Sequence, residues 1–286
     1  MTTQTWTILP LLERTAAYFT DRGVPNPRLD AELLLSDILG MKRIELYMHF
    51  DQPVAEPDLA RFRTQVQRRG KREPLQYIMG YTEFYGRRFS VTPAVLIPRP
   101  ETEQLVARAL EWLDVHPTAT RVLDFGTGSG CIASTVALER PQLQVTAVDA
   151  SEAALEVAQR NAKQLGATIT LTTGCRIMSG MTAVDLIISN PPYIPSAEIS
   201  KLQPEVAQFE PKLALDGGED GLAFYRQLLQ DAPTQLNTGG ALLIETGLGQ
   251  HADIAAIAKA TPQWQAPTSY TDLSGTERIM VFELGN

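Results

Sequence analysis

Residues 121–138 read RVLDFGTGSGCIASTVAL, and this stretch decides the fold. Its first five residues are predicted to form a short strand, the next five form a glycine-rich turn, and a helix is predicted from Cys131. Glycine lets backbone N–H groups approach a ligand that a Cβ atom would keep away. A second predicted strand ends at Asp149, about 20 residues beyond the turn, where a carboxylate can accept hydrogen bonds from ribose hydroxyls.

The spacing within the turn is G-x-G-x-G, which differs from the G-x-G-x-x-G pattern of dinucleotide-binding proteins. The shorter pattern suits S-adenosylmethionine, which carries a ribose and an amino acid but no phosphate. We therefore expect a site for S-adenosylmethionine built from Gly126, Thr127, Gly128, Ser129, Gly130 and Asp149.

A second motif, Asn190-Pro191-Pro192-Tyr193, follows the apolar run 184–189, which reads as a buried strand. The Asn190 side-chain carbonyl can accept one N–H of a planar NH2 group, and the Pro191 carbonyl can accept the other. Tyr193 can stack on the group that carries the amine. A turn that merely stops an edge strand would also use Asn-Pro. Together with the glycine turn, however, the motif predicts methyl transfer to nitrogen, with Asn190 as the catalytic residue and 190–193 as the substrate site. The amine is an adenine N6, a cytosine N4 or a carboxamide nitrogen.

Residues 73–283 resemble the bacterial N5-glutamine methyltransferases that modify peptide chain release factors. The resemblance is carried by EPLQYIMG at 73–80, VLIPRPETE at 95–103, the glycine turn, the motif at 190–193 and FEP at 209–211. The segment around 97–103 is the most family-specific because it has no generic role in methyltransferases. The resemblance implies that the turn, Asp149 and Asn190 hold S-adenosylmethionine. It also implies that 190–193 hold the glutamine of a Gly-Gly-Gln loop, and that Thr102 and Glu103 close over the cofactor.

One stretch departs from the family pattern. After the strand predicted at 169–171, the family usually has an acid and a bulky apolar residue that line the adenine site. Here the sequence reads Gly174-Cys175-Arg176-Ile177, so no acid is expected to contact the adenine at this position, and Cys175 and Arg176 are the substitute candidates for contacting the cofactor. Asp124 is interpreted as a further residue of the cofactor site, and Glu245 as the cap of a strand end. No side chain is expected to act as a strong general base, because orientation and electrostatics supply most of the acceleration.

Two other enzymes would use similar chemistry. An adenine-N6 nucleic-acid methyltransferase must hold a polyanion, and the net charge of −8 argues against that. The basic cluster at 68–72 reads as a solvated helix end, with contact to an RNA or an acidic partner as the alternative. Nucleic acid is therefore not expected as the substrate. The motif does not distinguish a release factor methyltransferase from a glutamine methyltransferase that acts on a ribosomal protein. A dehydrogenase does not fit the glycine spacing, and a non-catalytic binding protein leaves 190–193 unexplained.

The chain is long enough for about two domains. Residues 1–72 are predicted to form a small helical bundle that docks the substrate, with the apolar stripes, including Ile44, Leu46 and Tyr47 on a short third helix, as its core. Residues 73–95 are a linker with a β-hairpin turning near Gly86. Residues 96–286 form the methyltransferase domain. The fold class is α/β, a Rossmann-like sheet of the class I S-adenosylmethionine-dependent methyltransferases, and a helix-free final connection predicts one antiparallel strand in it.

Composition limits the remaining possibilities. No apolar stretch reaches about 18 residues and the first residues do not form a signal peptide, so a cytoplasmic protein without a membrane span is expected. Cys131 and Cys175 are expected to be reduced. The histidines at 49, 116 and 251 lack ligand-like spacing, so no metal site is predicted.

Overall fold

The computed structural model describes residues 6–176, 182–272 and 274–285. They divide into two compact units. The helical unit comprises Met1–Gly80 and Gln203–Phe209, and the sheet unit comprises Tyr81–Leu202 and Glu210–Asn286. Within the described residues, no helix is both long and apolar enough to cross a bilayer.

The α-helices of the described residues, in chain order, are α1 Ile8–Asp21, α2 Pro27–Leu39, α3 Arg43–Met48, α4 Glu56–Gly70, α5 Leu75–Met79, α6 Pro100–Val115, α7 Cys131–Glu139, α8 Glu152–Leu165, α9 Pro204–Phe209, α10 Ala223–Asp231 and α11 His251–Ala258. Short 3₁₀ turns lie at Ile199–Lys201, Lys212–Ala214 and Ala232–Thr234.

The helical unit contains α1–α5 and α9. The chain signals the limits of α2 clearly, because Pro27 lies in its first turn and Gly40 ends it in a left-handed conformation. The unit extends to Gly80, past the boundary at 72 expected from the sequence, because Leu75 and Ile78 of α5 pack into its apolar core. The third helix corrects one expectation: Leu46 is buried, but Ile44 and Tyr47 are exposed and do not belong to the core.

The β-strands of the described residues are β1 Tyr81–Phe84, β2 Arg87–Ser90, β3 Arg121–Phe125, β4 Gln144–Asp149, β5 Ile169–Thr173, β6 Val184–Ser189, β7 Leu236–Glu245, β8 Thr268–Thr271 and β9 Glu277–Glu283. The last seven form one sheet in the order β5-β4-β3-β6-β7-β9-β8. The five strands β3–β7 run parallel, and β9 lies antiparallel between β7 and β8.

The strand order reverses beside β3. From β3 the chain moves outward to β4 and β5, and it then returns to place β6 on the other side of β3. Ligands of open parallel sheets bind beyond the carboxyl ends of the strands at such a reversal. The central strands are buried on both faces, because one apolar cluster covers each side of the sheet. The glycine turn after β3 and Asn190 after β6 therefore emerge side by side at the edge where a ligand is expected.

The β1–β2 hairpin was expected within a linker at 73–95. In the structure this stretch is divided, since α5 belongs to the helical unit and the hairpin to the sheet unit. Tyr85 and Gly86 both have positive φ and form its turn. Phe84 and Phe89 are fully buried in the core of the sheet unit, with their rings edge to face and 5.9 Å between centroids. The hairpin is therefore part of that unit's packing.

Candidate active site

The glycine turn leaves β3 at Phe125 and starts α7 at Cys131. The amides of Gly126 and Thr127 donate to the Val148 carbonyl of β4 at 2.8 and 3.0 Å, which fixes the turn against the neighbouring strand. Gly128 has φ of +54°, and a Cβ atom built on it would meet nothing within 4 Å. The turn therefore presents backbone to open space, as a cradle for a ligand requires.

Asp149 lies at the end of β4 and is held by two backbone amides. Its Oδ2 accepts from the Gly128 N–H at 2.8 Å, and its Oδ1 accepts from the Ser151 N–H at 2.9 Å. Each carboxylate oxygen keeps a further lone pair. The carboxylate is thus oriented by the turn itself and can still accept hydrogen bonds from a pair of hydroxyls.

Asp124 holds the turn from inside the protein. It is fully buried, and its Oδ2 accepts from the Thr127 hydroxyl at 2.6 Å and from the Ala133 N–H at 3.1 Å. Burial raises the pKa of this carboxyl to about 7, and the charge of Asp149 adds to the effect. Asp124 is therefore a residue that shapes the turn and the start of α7.

A cavity of about 570 Å³ opens at the reversal of strand order. It brings together most of the residues singled out from the sequence, namely Gly126, Thr127, Gly128, Ser129, Asp149, Arg176, Asn190 and Pro192. The cavity also contacts residues that the sequence did not assign to the site, including Pro98, Arg99, Phe224 and Gln227.

In the described part of the chain, three residues of the glycine turn and the 190–193 motif do not line this cavity. Gly130 instead allows α7 to pack on α8, because a Cβ atom on it would lie 3.0 Å from the Ala158 side chain. Pro191 is buried. Tyr193 is half-buried and its carbonyl accepts from Gln250 Nε2 at 3.0 Å, while burial and the charge of Glu245 raise the pKa of its hydroxyl to about 12.

The stretch that departs from the family pattern reaches the same cavity. Cys175 and Arg176 both line it, but the Arg176 guanidinium pairs with Asp231 at 3.2 and 3.3 Å. The Cys175 carbonyl accepts from Gln227 Nε2 at 2.9 Å, which ties this stretch to α10. Ile177 lies outside the described residues. A role of Arg176 toward the cofactor remains a prediction.

The family-specific segment around 97–103 contacts other parts of the site through Arg99 and Thr102. Arg99 pairs with the buried Glu210, so two segments that carry the resemblance meet in an ion pair. Burial nevertheless raises the pKa of Glu210, and Arg99 opposes the shift. Thr102, in the first turn of α6, accepts from Asn190 Nδ2 at 3.0 Å and donates to Glu245 Oε2 at 2.7 Å. From the sequence, Glu245 is predicted only to cap a strand end, and no local pattern connects it to Asn190.

Across residues 6–176, 182–272 and 274–285, no three or more His, Cys, Asp or Glu side chains are grouped so that they could hold a metal ion.

The fold and the site define a Rossmann-like methyltransferase. A model of the methyltransferase small domain matches residues 104–207. Among solved structures, the catalytic domain of hMettl16 in complex with MAT2A 3′UTR hairpin 1 superposes with a TM-score of 0.57 at 16% identity, covering 88% of this chain and 90% of that one. A methyltransferase from Pyrococcus furiosus gives a TM-score of 0.52 at 20% identity, over 71% of this chain and 91% of its own. The fold class predicted from the sequence is confirmed.

The sequence comparisons identify one family within this class. A model of the PrmC N-terminal domain matches residues 10–80. The chain is 47% identical to the release factor glutamine methyltransferase of Geobacter sulfurreducens, over 98% of both chains. It is 40% identical to the enzyme of the same name from Rhodopirellula baltica, over 96% of this chain and 95% of that one. The chain belongs to the release factor glutamine methyltransferase family, which confirms the resemblance inferred from its motifs.

Proposed function

We propose that this chain transfers a methyl group from S-adenosylmethionine to the side-chain amide nitrogen, N5, of the glutamine in the Gly-Gly-Gln motif of peptide chain release factors. One observation carries the proposal: Asn190 and the glycine turn line the same cavity, at the reversal of strand order. A methyl donor and a planar amide can therefore be held against each other. The relatives that cover nearly the whole chain are named for this substrate.

The cavity fits the cofactor by its shape and its hydrogen-bonding groups. The turn exposes backbone at Gly128, and Asp149 offers oriented lone pairs to a ribose. When bound, S-adenosylmethionine supplies an electrophilic methyl group on a sulfonium. In this proposal the glycine turn binds the amino acid portion, Asp149 the ribose, and the surface near Cys175 and Arg176 the adenine.

Asn190 and its neighbours act on the substrate amide. Because the nitrogen lone pair of a carboxamide is delocalised into its carbonyl, the nitrogen is a poor nucleophile. The Asn190 Oδ1 and the Pro191 carbonyl accept its two N–H bonds and stabilise the positive charge that develops on nitrogen. As the N–C bond forms, the S–C bond breaks and its electron pair stays on sulfur, while the nitrogen loses one proton to solvent. Tyr193 packs on the plane of the amide.

The helical unit is the proposed docking domain for the release factor. Large apolar side chains are exposed on and beside α3, with Ile44 65%, Met48 68% and Phe50 51% exposed. Exposed apolar clusters of this kind mark protein interaction sites. Arg28 and Arg43 both pair with the buried Glu32, and the Arg28 guanidinium also lies over the Tyr47 ring. We call Ile44, Tyr47, Met48 and Phe50 the α3 patch.

A protein substrate accounts for such an apolar patch better than a polyanion does. Three of the four cations in the basic cluster at 68–72 already lie in ion pairs, because Arg68 pairs with Glu73, and Arg69 and Arg72 pair with Glu205, while Lys71 is exposed. Nucleic acid is therefore not proposed as a substrate. Since release factors act at the ribosome, the proposed reaction takes place in the cytoplasm.

The proposed function is tested by mass spectrometry. Purified release factor is incubated with the enzyme and S-adenosylmethionine, and the intact mass and the digested peptides are measured. We expect one added methyl group, on the glutamine of the Gly-Gly-Gln loop. Purified ribosomal proteins and a DNA or RNA oligonucleotide serve as competing acceptors. Methylation of one of these, with none on the release factor, would overturn the assignment.

A further inference from the structure

The Thr102 hydroxyl joins Asn190 to a buried carboxylate. Asn190 Nδ2 lies 3.0 Å from Thr102 Oγ1, and Thr102 Oγ1 lies 2.7 Å from Glu245 Oε2. The three residues come from separate elements, namely the loop after β6, the first turn of α6 and the end of β7. Thr102 and Glu245 are 3% and 2% exposed, so the hydrogen bond between them is shielded from water, while Asn190 reaches the cavity.

Burying the Glu245 carboxylate costs free energy that a neutral side chain would not. The cap of a strand end needs only a neutral acceptor, whereas an ionised carboxylate loses hydration on burial. Burial raises the pKa of Glu245 to about 7, and the nearby charge of Glu101 adds to the effect. The hydrogen bonds of Thr102 and Asn190 and the charge of Arg278 oppose the shift. A buried acid with a perturbed pKa beside a cavity is typical of a functional site.

The single proton of the Thr102 hydroxyl sets the donor-to-acceptor direction of both hydrogen bonds in this series. A threonine hydroxyl has a single proton to donate. When Glu245 is ionised it can only accept, so Thr102 donates to Glu245 and must accept from its other neighbour. That neighbour is then the NH2 group of Asn190, which leaves the Asn190 carbonyl oxygen for the substrate. If Glu245 were protonated, it could donate to Thr102, and Thr102 could donate to an inverted Asn190 amide.

We propose that Thr102 and Glu245 are positioning residues that hold the Asn190 amide with its carbonyl oxygen toward the substrate. This inference rests on the proposed function, since it assigns Asn190 Oδ1 to the glutamine amide. Hydrogen bonds in a chain polarise one another. Donation from the Asn190 NH2 group toward the carboxylate therefore also makes its Oδ1 a stronger acceptor.

The inference predicts a pH dependence of the chemical step. Methyl transfer requires ionised Glu245, so kcat should rise as the pH passes through the pKa of that residue. The groups that face it are Glu101, Arg278 and the hydroxyls of Tyr193 and Tyr225. Tyr225 donates to the backbone carbonyl of Glu245 and not to its carboxylate. Glu245→Gln should abolish the rise in kcat with pH and lower its plateau.

The deciding experiment is a double-mutant cycle between Thr102 and Asn190, measured as single-turnover methylation of the release factor. Thr102→Val should reduce the rate about ten-fold, the usual effect of one lost hydrogen bond. Thr102→Ser, which keeps the hydroxyl, should restore most of it. In an Asn190→Ala background, Thr102→Val should cause almost no further loss, because the residue it orients is absent. Thermal unfolding and calorimetry with S-adenosylmethionine are run on every variant.

The results separate the positioning role of Thr102 from the proposed methylation of the release factor. An equal loss from Thr102→Val in both backgrounds would overturn the positioning role, and so would a loss explained by weaker cofactor binding alone. If the wild-type enzyme methylates the release factor but Thr102→Val proceeds at the wild-type rate, only this inference fails. If the wild-type enzyme does not methylate the release factor, the proposed function fails and the inference fails with it.

Discussion

In the helical unit the buried acids lie against arginines, whereas beside the proposed reaction site Asp124 and Glu245 are held by hydroxyl and amide groups. Burial by itself would raise the pKa of Glu32, but hydrogen bonds from Tyr47, Arg43 and Arg28 hold it below its ordinary value. In the sheet unit, burial raises the pKa of both Asp124 and Glu245 to about 7.

This difference separates two uses of a buried charge. At Asp30 burial still raises the pKa, but Arg69 opposes the shift, so an arginine partner favours the charged form of a buried acid while it joins segments of the chain. An acid without such a partner titrates near neutrality and responds to what binds beside it. We therefore expect substitutions in the helical network to change stability, and substitutions around Asn190 to change the rate.

The largest effect is expected at Arg69. This residue is 4% exposed, and it donates to Asp30 at 2.7 Å and to Glu205 of α9 at 2.9 Å. Arg69→Met leaves the buried Asp30 without its arginine and Glu205 with Arg72 alone, and it should lower the free energy of unfolding by about 3–5 kcal/mol. Chemical denaturation measures this loss. The matched control is Arg63→Met on the same helix, whose ion pair with Glu56 is exposed and should contribute less than about 1 kcal/mol. Equal effects of the two substitutions would contradict a structural role for the buried network.

Asn190→Ala should lower the reaction rate and leave stability unchanged, unlike Arg69→Met. The rate of methyl transfer should fall by roughly 10²–10³, the usual loss for one preorganised polar group, while the unfolding free energy and the affinity for S-adenosylmethionine stay near those of the wild type. Calorimetry and single-turnover kinetics distinguish these quantities. Asp149→Ala serves as the contrast, because it should weaken cofactor binding by roughly 1–3 kcal/mol. If Asn190→Ala reacts at the wild-type rate, Asn190 is only a turn residue.

A smaller effect should appear in the pH dependence of stability. The folded-state pKa of Glu245, about 7, lies above its ordinary value of 4.5, so folding favours the protonated form. Its contribution to stability is complete below the ordinary pKa and is lost as the pH rises through about 7. Between about pH 6 and about pH 8 the loss amounts to about 1 kcal/mol.

Asp124 adds a slope of the same sign, since its pKa is also raised to about 7. Glu245→Gln should therefore remove only part of the decline seen in the wild type. Unfolding curves at the two pH values test this, and an unchanged slope would mean that Glu245 does not titrate in this range.

The glycine turn, Asp149 and Asn190 each stand directly at the end of a predicted strand, so the sequence alone was enough to expect them at one site, and in the structure they line one cavity. The parallel arrangement then brings those ends together without further information. It was not enough to interpret the cluster at 68–72, which was read as a solvated helix end. The partner of Arg69 and Arg72 is Glu205, more than 130 residues away in the sequence.

The same limit applies to the environment of the Asn190 side-chain amide. Thr102 was expected to cover the cofactor and Glu245 to cap a strand, because each was considered with its neighbours in the sequence. Their hydrogen bond joins residues 143 positions apart. The boundary of the helical unit was also displaced, because the apolar residues of α5 lie just beyond the basic cluster that seemed to end it. Contacts of this kind depend on tertiary structure, and no local pattern encodes them.

The α3 patch provides the test of the proposed docking role. Deleting residues 1–72 would not be a clean experiment, because α5 and α9 belong to the same unit and would lose what they pack against. Surface substitutions avoid this problem. We suggest Ile44→Ser combined with Met48→Ser, since both side chains are more than half exposed. The matched control is Val115→Ser in the sheet unit, where the side chain is 73% exposed.

The most direct measurement of the division between docking and chemistry compares kcat/KM for two acceptors, a folded release factor and a short Gly-Gly-Gln peptide. The α3 patch variant should lose about ten-fold on the release factor and nothing on the peptide, because only the folded partner reaches the patch. Asn190→Ala should lose activity on both acceptors, and Val115→Ser on neither. Equal activity of the patch variant and the wild type on the release factor would contradict docking at α3. An equal loss on both acceptors would show that the patch supports the fold or the chemistry, and not the choice of substrate.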